Sequence, residues 1–170
     1  YSGFHIAASH SDSPTLKIKE SSEMNIENQY VKLNVEKYGG MLCAPWFDRP
    51  LSVAGRIIVK DGNRLTTKLI NVDRDLLMIP NLAIHMNREV NDGYKYNIQK
   101  DMLPLYRMSN SGKAFKEMIA EEAGVSVDQI KGMDLFLYNR MEGTVWGCDG
   151  EFISAPRLDD LQCAFTSTMA

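Results

Sequence analysis

A chain of mixed α and β character, with strands and turns through its middle, is what this sequence predicts, and three observations carry the prediction. Residues 14–20 and 30–37 alternate apolar and charged side chains with period two. Residues 51–59 and 65–72 are β-rich runs on either side of Lys60-Asp61-Gly62-Asn63-Arg64, whose Asp-Gly step is a strong hairpin signal. Apolar side chains return at helical spacing in 112–123, and again at Leu158, Leu161, Phe165 and Met169.

Taken in order, Gly3-Phe4-His5-Ile6-Ala7-Ala8 is an apolar run expected to form a buried strand, ending at His10-Ser11-Asp12-Ser13-Pro14. The alternation of 14–20 and 30–37 predicts half-exposed strands, the second broken by Gly39-Gly40. The hairpin of 51–72 follows. Pro80, with its fixed φ, suits the first position of a short helical turn running to His85. Residues 91–108 look irregular, with Leu103 and Leu105 on either side of Pro104. The helix of 112–123 is expected to turn Phe115, Met118, Ile119 and Glu122 to one side and to stop at Gly124. A brief turn at Asp128-Gln129-Ile130 precedes a strand at 133–139, and Arg157-Leu158-Asp159-Asp160-Leu161 opens the last helix.

Composition removes several function classes. A net charge of −3 with no basic cluster leaves no electrostatic footprint for nucleic acid. No apolar stretch approaches the ~20 residues of a membrane span, and no signal peptide is expected. Hydrophobic residues make up 44% of the 170, ample for a core. Cys43, Cys148 and Cys163 are odd in number and far apart, which argues against a thiolate zinc cluster and fits a reducing, cytoplasmic setting. Small buried side chains are the expectation for all three. Tyr1 is not a methionine and Ala170 falls inside an uncapped apolar-periodic stretch, so we expect a piece of a longer polypeptide.

The chemistry is concentrated near the two ends. His10 and Asp12 stand two residues apart where a strand is expected to end. An imidazole can bind a metal through one ring nitrogen while a nearby carboxylate fixes its tautomer through the other. Alone, a His-x-Asp pair is more often part of a polar turn. The three histidines, His5, His10 and His85, cannot complete a zinc site, which takes about four ligands per ion. Asp159-Asp160 offers a second carboxylate pair. Glu121-Glu122 lies on the amphipathic helix, where two solvated carboxylates are the ordinary reading, and receives no catalytic role.

His10-Ser11-Asp12-Ser13-Pro14, Tyr38-Gly39-Gly40, Trp46-Phe47-Asp48-Arg49, the run from Leu51 to Arg56, the run from Ile79 to His85, Asp134-Leu135-Phe136-Leu137-Tyr138 and the run from Glu151 to Leu161 together resemble the aspartyl aminopeptidase family, which includes the vacuolar leucine-type aminopeptidase. The match is collinear over nearly the whole chain. It implies an α/β fold: a fragment of an α/β metallopeptidase catalytic domain interrupted by a β-rich (α+β) insertion that drives homo-oligomer assembly. The implied boundaries are 1–18 and 142–170 for the catalytic domain and 19–141 for the insertion. The implied enzyme is a zinc-dependent aminopeptidase that uses two zinc ions to activate water and removes an acidic or neutral N-terminal residue from peptides.

On that resemblance His10 is a zinc ligand, Asp12 the catalytic residue that steers its ring, and Asp159 the carboxylate bridging two metals. His85 is a substrate-binding residue that reaches into a neighbouring subunit's site. The general base and the other ligands of the family are expected beyond Ala170, so the 170 residues alone are expected to be inactive. Departures from the family pattern are Ser11 for Thr, Asp160 for Asn, Asn81 for His, and Met41 after a glycine pair that is often a triplet. Relatives tend to carry a cis peptide after the bridging Asp, which places one at Asp159-Asp160. The competing reading is a non-catalytic oligomerisation module of such an enzyme; a different two-metal aminopeptidase or deacylase is a third.

Overall fold

The computed structural model describes residues 3–170. They divide into two compact units, one running from Thr15 to Arg140 and the other made of the stretch up to Pro14 together with Met141–Ala170.

The Thr15–Arg140 unit is built on a six-stranded sheet. Its strands are β1 (Thr15–Ile26), β2 (Tyr30–Tyr38), β3 (Leu51–Asp61), β4 (Arg64–Asn71), β5 (Leu105–Met108) and β6 (Ile130–Asn139), in the spatial order β4-β3-β6-β1-β2-β5. Every pairing is antiparallel. Period-two alternation decides which side chains go inward. Leu16 and Ile18 of β1 and Val31, Leu33 and Val35 of β2 are buried at every second position with half-exposed residues between them; Leu51, Val53, Ile57 and Val59 of β3 are buried too, although Ser52 breaks the alternation by being buried between the first two. The expected strand at 14–20 proves longer, running to Ile26 and pairing with β2 along both halves. Between Ile18 and Glu23 the register slips, five steps on β1 spanning two on β2.

The predicted hairpin is β3-β4, turning through Gly62 with φ at 58°. Gly55 serves a different end. A Cβ there would sit 2.2 Å from the carbonyl oxygen of Asp134, so only glycine lets β3 and β6 approach as closely as they do. Leu77 bridges to Leu51 at the start of β3, and Met78 to Leu105 of β5. The extended stretch between β4 and the next loop therefore joins the sheet's far edge strand back to β3.

The helix expected at 112–123 is α2 (Phe115–Ala123); α1 (Ile98–Asp101) is a single turn. Phe115, Met118, Ile119 and Ala120 of α2 are buried, and Gly124 closes it in the left-handed conformation at φ 62°. Ala120, not Glu122, completes the apolar face; Glu122 instead ion-pairs with Arg74 at 2.6 Å. Two further expectations are corrected. Residues 80–83 are irregular and the 3-10 turn falls later, at Ile84–Met86; the Asn81 N–H that follows Pro80 donates to the Asp48 carboxylate. Residues 91–108 are not irregular throughout: Leu105–Met108 is edge strand β5, too short to show a periodicity.

The other unit holds the hairpin of β7 (Thr144–Trp146) and β8 (Phe152–Ser154), which the sequence reading did not identify, and α3 (Leu158–Met169). No side chain of α3 is buried. Residues 3–14 form no strand, and Phe4 and Ile6 are almost fully exposed. An apolar run becomes a strand only where a ladder partner satisfies its backbone, and no described segment pairs with this one. The cysteines correct the expectation of burial: Cys43 is half-buried, whereas Cys148, in the β7-β8 loop, and Cys163, on α3, are exposed.

Candidate metal and substrate site

His10, near one end of the chain, meets the acidic pair near the other. Its Nε2 lies 3.0 Å from Oδ1 of Asp12, and its Nδ1 contacts Oδ2 of Asp160, 150 positions along the chain. The imidazole is thus held between two carboxylates, which raise its pKa above the ordinary value: Asp160 acts most strongly, then Asp12, with Asp159 adding a smaller contribution. The resemblance singled out Asp159, yet the side chain on the ring belongs to its neighbour. Asp159 itself is exposed.

Local backbone explains the division of labour. Arg157 adopts φ 65°, and Asp159 and Asp160 have non-helical angles, so α3 winds regularly only after them. The Asp159-Asp160 peptide is cis, as the resemblance implied. Two consecutive carboxylates at an irregular helix entrance point in different directions, and one of them reaches His10 while the other stays in solvent. The doublet was the sequence signal for Asp160; which member would touch the ring was not legible.

Whether these groups suit a zinc ion is answered by donor chemistry and by one atom. Imidazole nitrogen and carboxylate oxygen are donors zinc accepts. Oδ1 of Asp160 is buried and has no hydrogen-bond partner among the described residues, an anionic oxygen whose desolvation is offset when a cation sits against it. The donor types fit. The number does not close a site: among the described residues no group of three or more His, Cys, Asp or Glu is disposed to hold a metal.

His85 belongs to the Thr15–Arg140 unit. It is exposed within the 3-10 turn Ile84–Met86. The stretch before it is fastened at Asp48, a residue the sequence reading did not select. The Asp48 carboxylate accepts from the Asn81 backbone N–H at 2.9 Å and from Asn81 Nδ2 at 2.7 Å, and these two bonds hold it below the usual carboxylate range. Its own N–H donates to the Ile79 carbonyl at 2.9 Å. Glu121 and Glu122 keep the surface role given to them: Glu121 pairs with Lys113 and Glu122 with Arg74.

Comparison with known proteins bears on all of this. All 170 residues match the family described as Aminopeptidase I zinc metalloprotease (M18). A curated relative, a probable M18 family aminopeptidase 2 of Clostridium acetobutylicum, is 50% identical over 167 residues, covering 94% of this chain and 38% of its own length. The chain therefore spans little more than a third of that relative. Among solved structures, a chain of the Ape4 and Nbr1 complex superposes with a TM-score of 0.83 at 31% identity, over 92% of this chain and 34% of that one. The S. cerevisiae mApe1 dodecamer matches with a TM-score of 0.72 at 27% identity, over 92% and 36%. Agreement that runs the length of the chain in both sequence and backbone is more than a shared motif produces, and the chain belongs to the aminopeptidase I zinc metalloprotease family, M18.

Proposed function

We propose that the full-length protein is a cytoplasmic zinc aminopeptidase that removes an acidic or neutral N-terminal residue from peptides. One observation supports this reading above the rest: His10 meets the acidic pair at 159–160 across 150 positions of sequence. Convergence of an imidazole with carboxylates from opposite ends of a chain is the arrangement a metal centre needs and a polar turn does not. Cytoplasmic placement rests on three unpaired cysteines.

In this reading His10 and Asp159 would hold zinc, and Asp12, 3.0 Å from Nε2, orients the His10 ring so that Nδ1, the nitrogen that contacts Asp160, is the one a metal would take from that carboxylate. When bound, zinc supplies Lewis acidity and a nucleophile at neutral pH. Asp160 adds a further negative charge beside the ligands. Donors still lacking here, and the general base that takes a proton as the substrate carbonyl is attacked, are assigned to parts of the full-length protein outside these residues. Homo-oligomer assembly is assigned to the β-rich unit, in line with the dodecamer of the S. cerevisiae relative. His85 then contacts substrate bound at a neighbouring subunit.

Zinc content and turnover of the full-length protein test the reading together. Two zinc ions per protomer are expected, and chelation should abolish release of N-terminal Asp, Glu or Leu from short peptides. His10→Ala and Asp159→Asn should lower both zinc occupancy and turnover, by ~10–100-fold or more, since even residues that only orient metal ligands have effects of that size. Turnover undiminished after complete metal removal would refute the proposal.

A further inference from the structure

The loop that carries His85 is held in an unusual way. None of residues 80–86 is buried, and Leu82, Ile84 and Met86 around the histidine are 63%, 47% and 76% exposed. Burial therefore does not set the direction in which His85 points. Ile79 is fully buried, and the first residue after it with a tie to the sheet unit is Asn81, four positions before the histidine. Both of Asn81's bonds end on one carboxylate, that of Asp48.

Asp48 is shaped for this task. Its φ of 54° lies in the left-handed region, which turns its carboxylate back toward the strand-like stretch that ends at Ile79, and the Phe47–Ile79 bridge fixes the spacing. The far end of the same loop returns to the same place. The Phe47 ring lies 5.1 Å from that of Tyr96, which lies 5.1 Å from that of Tyr94. Phe47 and Asp48 thus secure both feet of the excursion between Ile79 and Tyr94, Phe47 by ring packing and Asp48 by a two-pronged polar clamp.

We propose that Asp48 and Asn81 are positioning residues for substrate binding: their clamp sets the reach of His85, and with it the productive docking of the peptide. The proposal rests on the reading of His85 as a substrate-binding residue given above. Asn81 gives two donors without a titrating ring, so the clamp holds the same way across the neutral pH range.

The test uses the full-length oligomeric enzyme. Asn81→Ala removes one prong at an exposed position with no folding burden, and Asp48→Gly removes the carboxylate while tolerating the positive φ. Each is measured alone and combined with His85→Ala, for KM, kcat and thermal midpoint, alongside hydrogen exchange of the amides at 81–86. Expected are a KM raised roughly ten-fold, the scale of a lost hydrogen bond to a charged group, with kcat within about two-fold and faster exchange at residue 81. In the His85→Ala background the same substitutions should leave KM where His85→Ala alone puts it. Asp48→Asn, which can re-form a paired amide contact, should fall between wild type and Asp48→Gly. If His85→Ala changes KM but Asn81→Ala either leaves it unchanged or adds its effect independently, the clamp proposal fails while the role of His85 stands. If His85→Ala changes nothing, the reading of His85 fails and the clamp's role falls with it.

Discussion

At the scale of single residues, atomic neighbours decide consequences that residue type does not. Gly55 looks dispensable in a strand, yet a Cβ would lie 2.2 Å from a backbone oxygen of β6 that has nowhere to move, and its φ is 149°. Gly55→Ala should destabilise the protein by about 1–3 kcal/mol or more, the range of overpacking in a tight interior, read as a lower denaturation midpoint. Asp134 offers a pH-dependent counterpart. Lys17 Nζ lies 2.9 Å from it and Arg56 Nε 3.3 Å, and the Lys17 hydrogen bond does most to hold its pKa below the ordinary value. A depressed folded-state pKa means the folded chain binds the proton less readily than the unfolded one. The contribution is therefore fully present above the unfolded value of about 3.9 and is lost as pH falls through the lower folded value. Acid titration of stability should show Asp134→Asn losing part of the decline below about pH 4 that the parent shows.

Elements are joined through a few polar residues placed where the sheet is irregular. Glu23 follows the register slip of β1, and its carboxylate accepts from Arg107 of β5 at 3.2 Å and from the first backbone N–H of α2, at Phe115, at 2.8 Å. One side chain thereby ties an edge strand and a helix start to the central sheet, and it satisfies a donor that the helix itself cannot. Glu23→Ala should cost about 1.5–3 kcal/mol, as expected for hydrogen bonds to a charged group. Hydrogen exchange should locate the loss in α2 and β5 and leave β3-β6 untouched. An even loss across the sheet would show that Glu23 acts on the core as a whole. The Tyr106 ring, edge-on to Phe115 at 5.8 Å, is the apolar half of the same junction.

For the whole molecule, the division of burial is the governing fact. Every member of the hydrophobic core lies between Leu16 and Leu137, within the Thr15–Arg140 unit. The other unit leaves Trp146, Phe152, Leu161 and Phe165 exposed. Expressed alone, Thr15–Arg140 should fold and melt in one cooperative transition by circular dichroism, because it retains its entire core and all six strands of its sheet. A broad, non-cooperative melt would mean that residues outside it are needed to complete the core. The buried core thus resides in the sheet unit, while the stretches that bring His10 to Asp160 leave their large apolar side chains exposed.

The sequence by itself determined the strands β2, β3, β4 and β6, the β3-β4 hairpin and helix α2. These are local matters: period-two alternation, an Asp-Gly turn and a left-handed glycine stop act within a few residues. Resemblance of collinear motifs also determined the family and the meeting of the chain's two acidic and imidazole ends. Tertiary structure alone decided the rest. It left Gly3–Ala8 unpaired, because strand formation requires a neighbour that local pattern cannot supply. It set β5 at the sheet edge, where four residues carry no readable period. It chose Asp160 over Asp159 as the contact of His10, since the direction of each carboxylate follows from backbone angles at the entrance to α3. And it tied Asn81 to Asp48, 33 positions away, a pairing that no spacing announces because it depends on where two loops of a curled sheet come to lie.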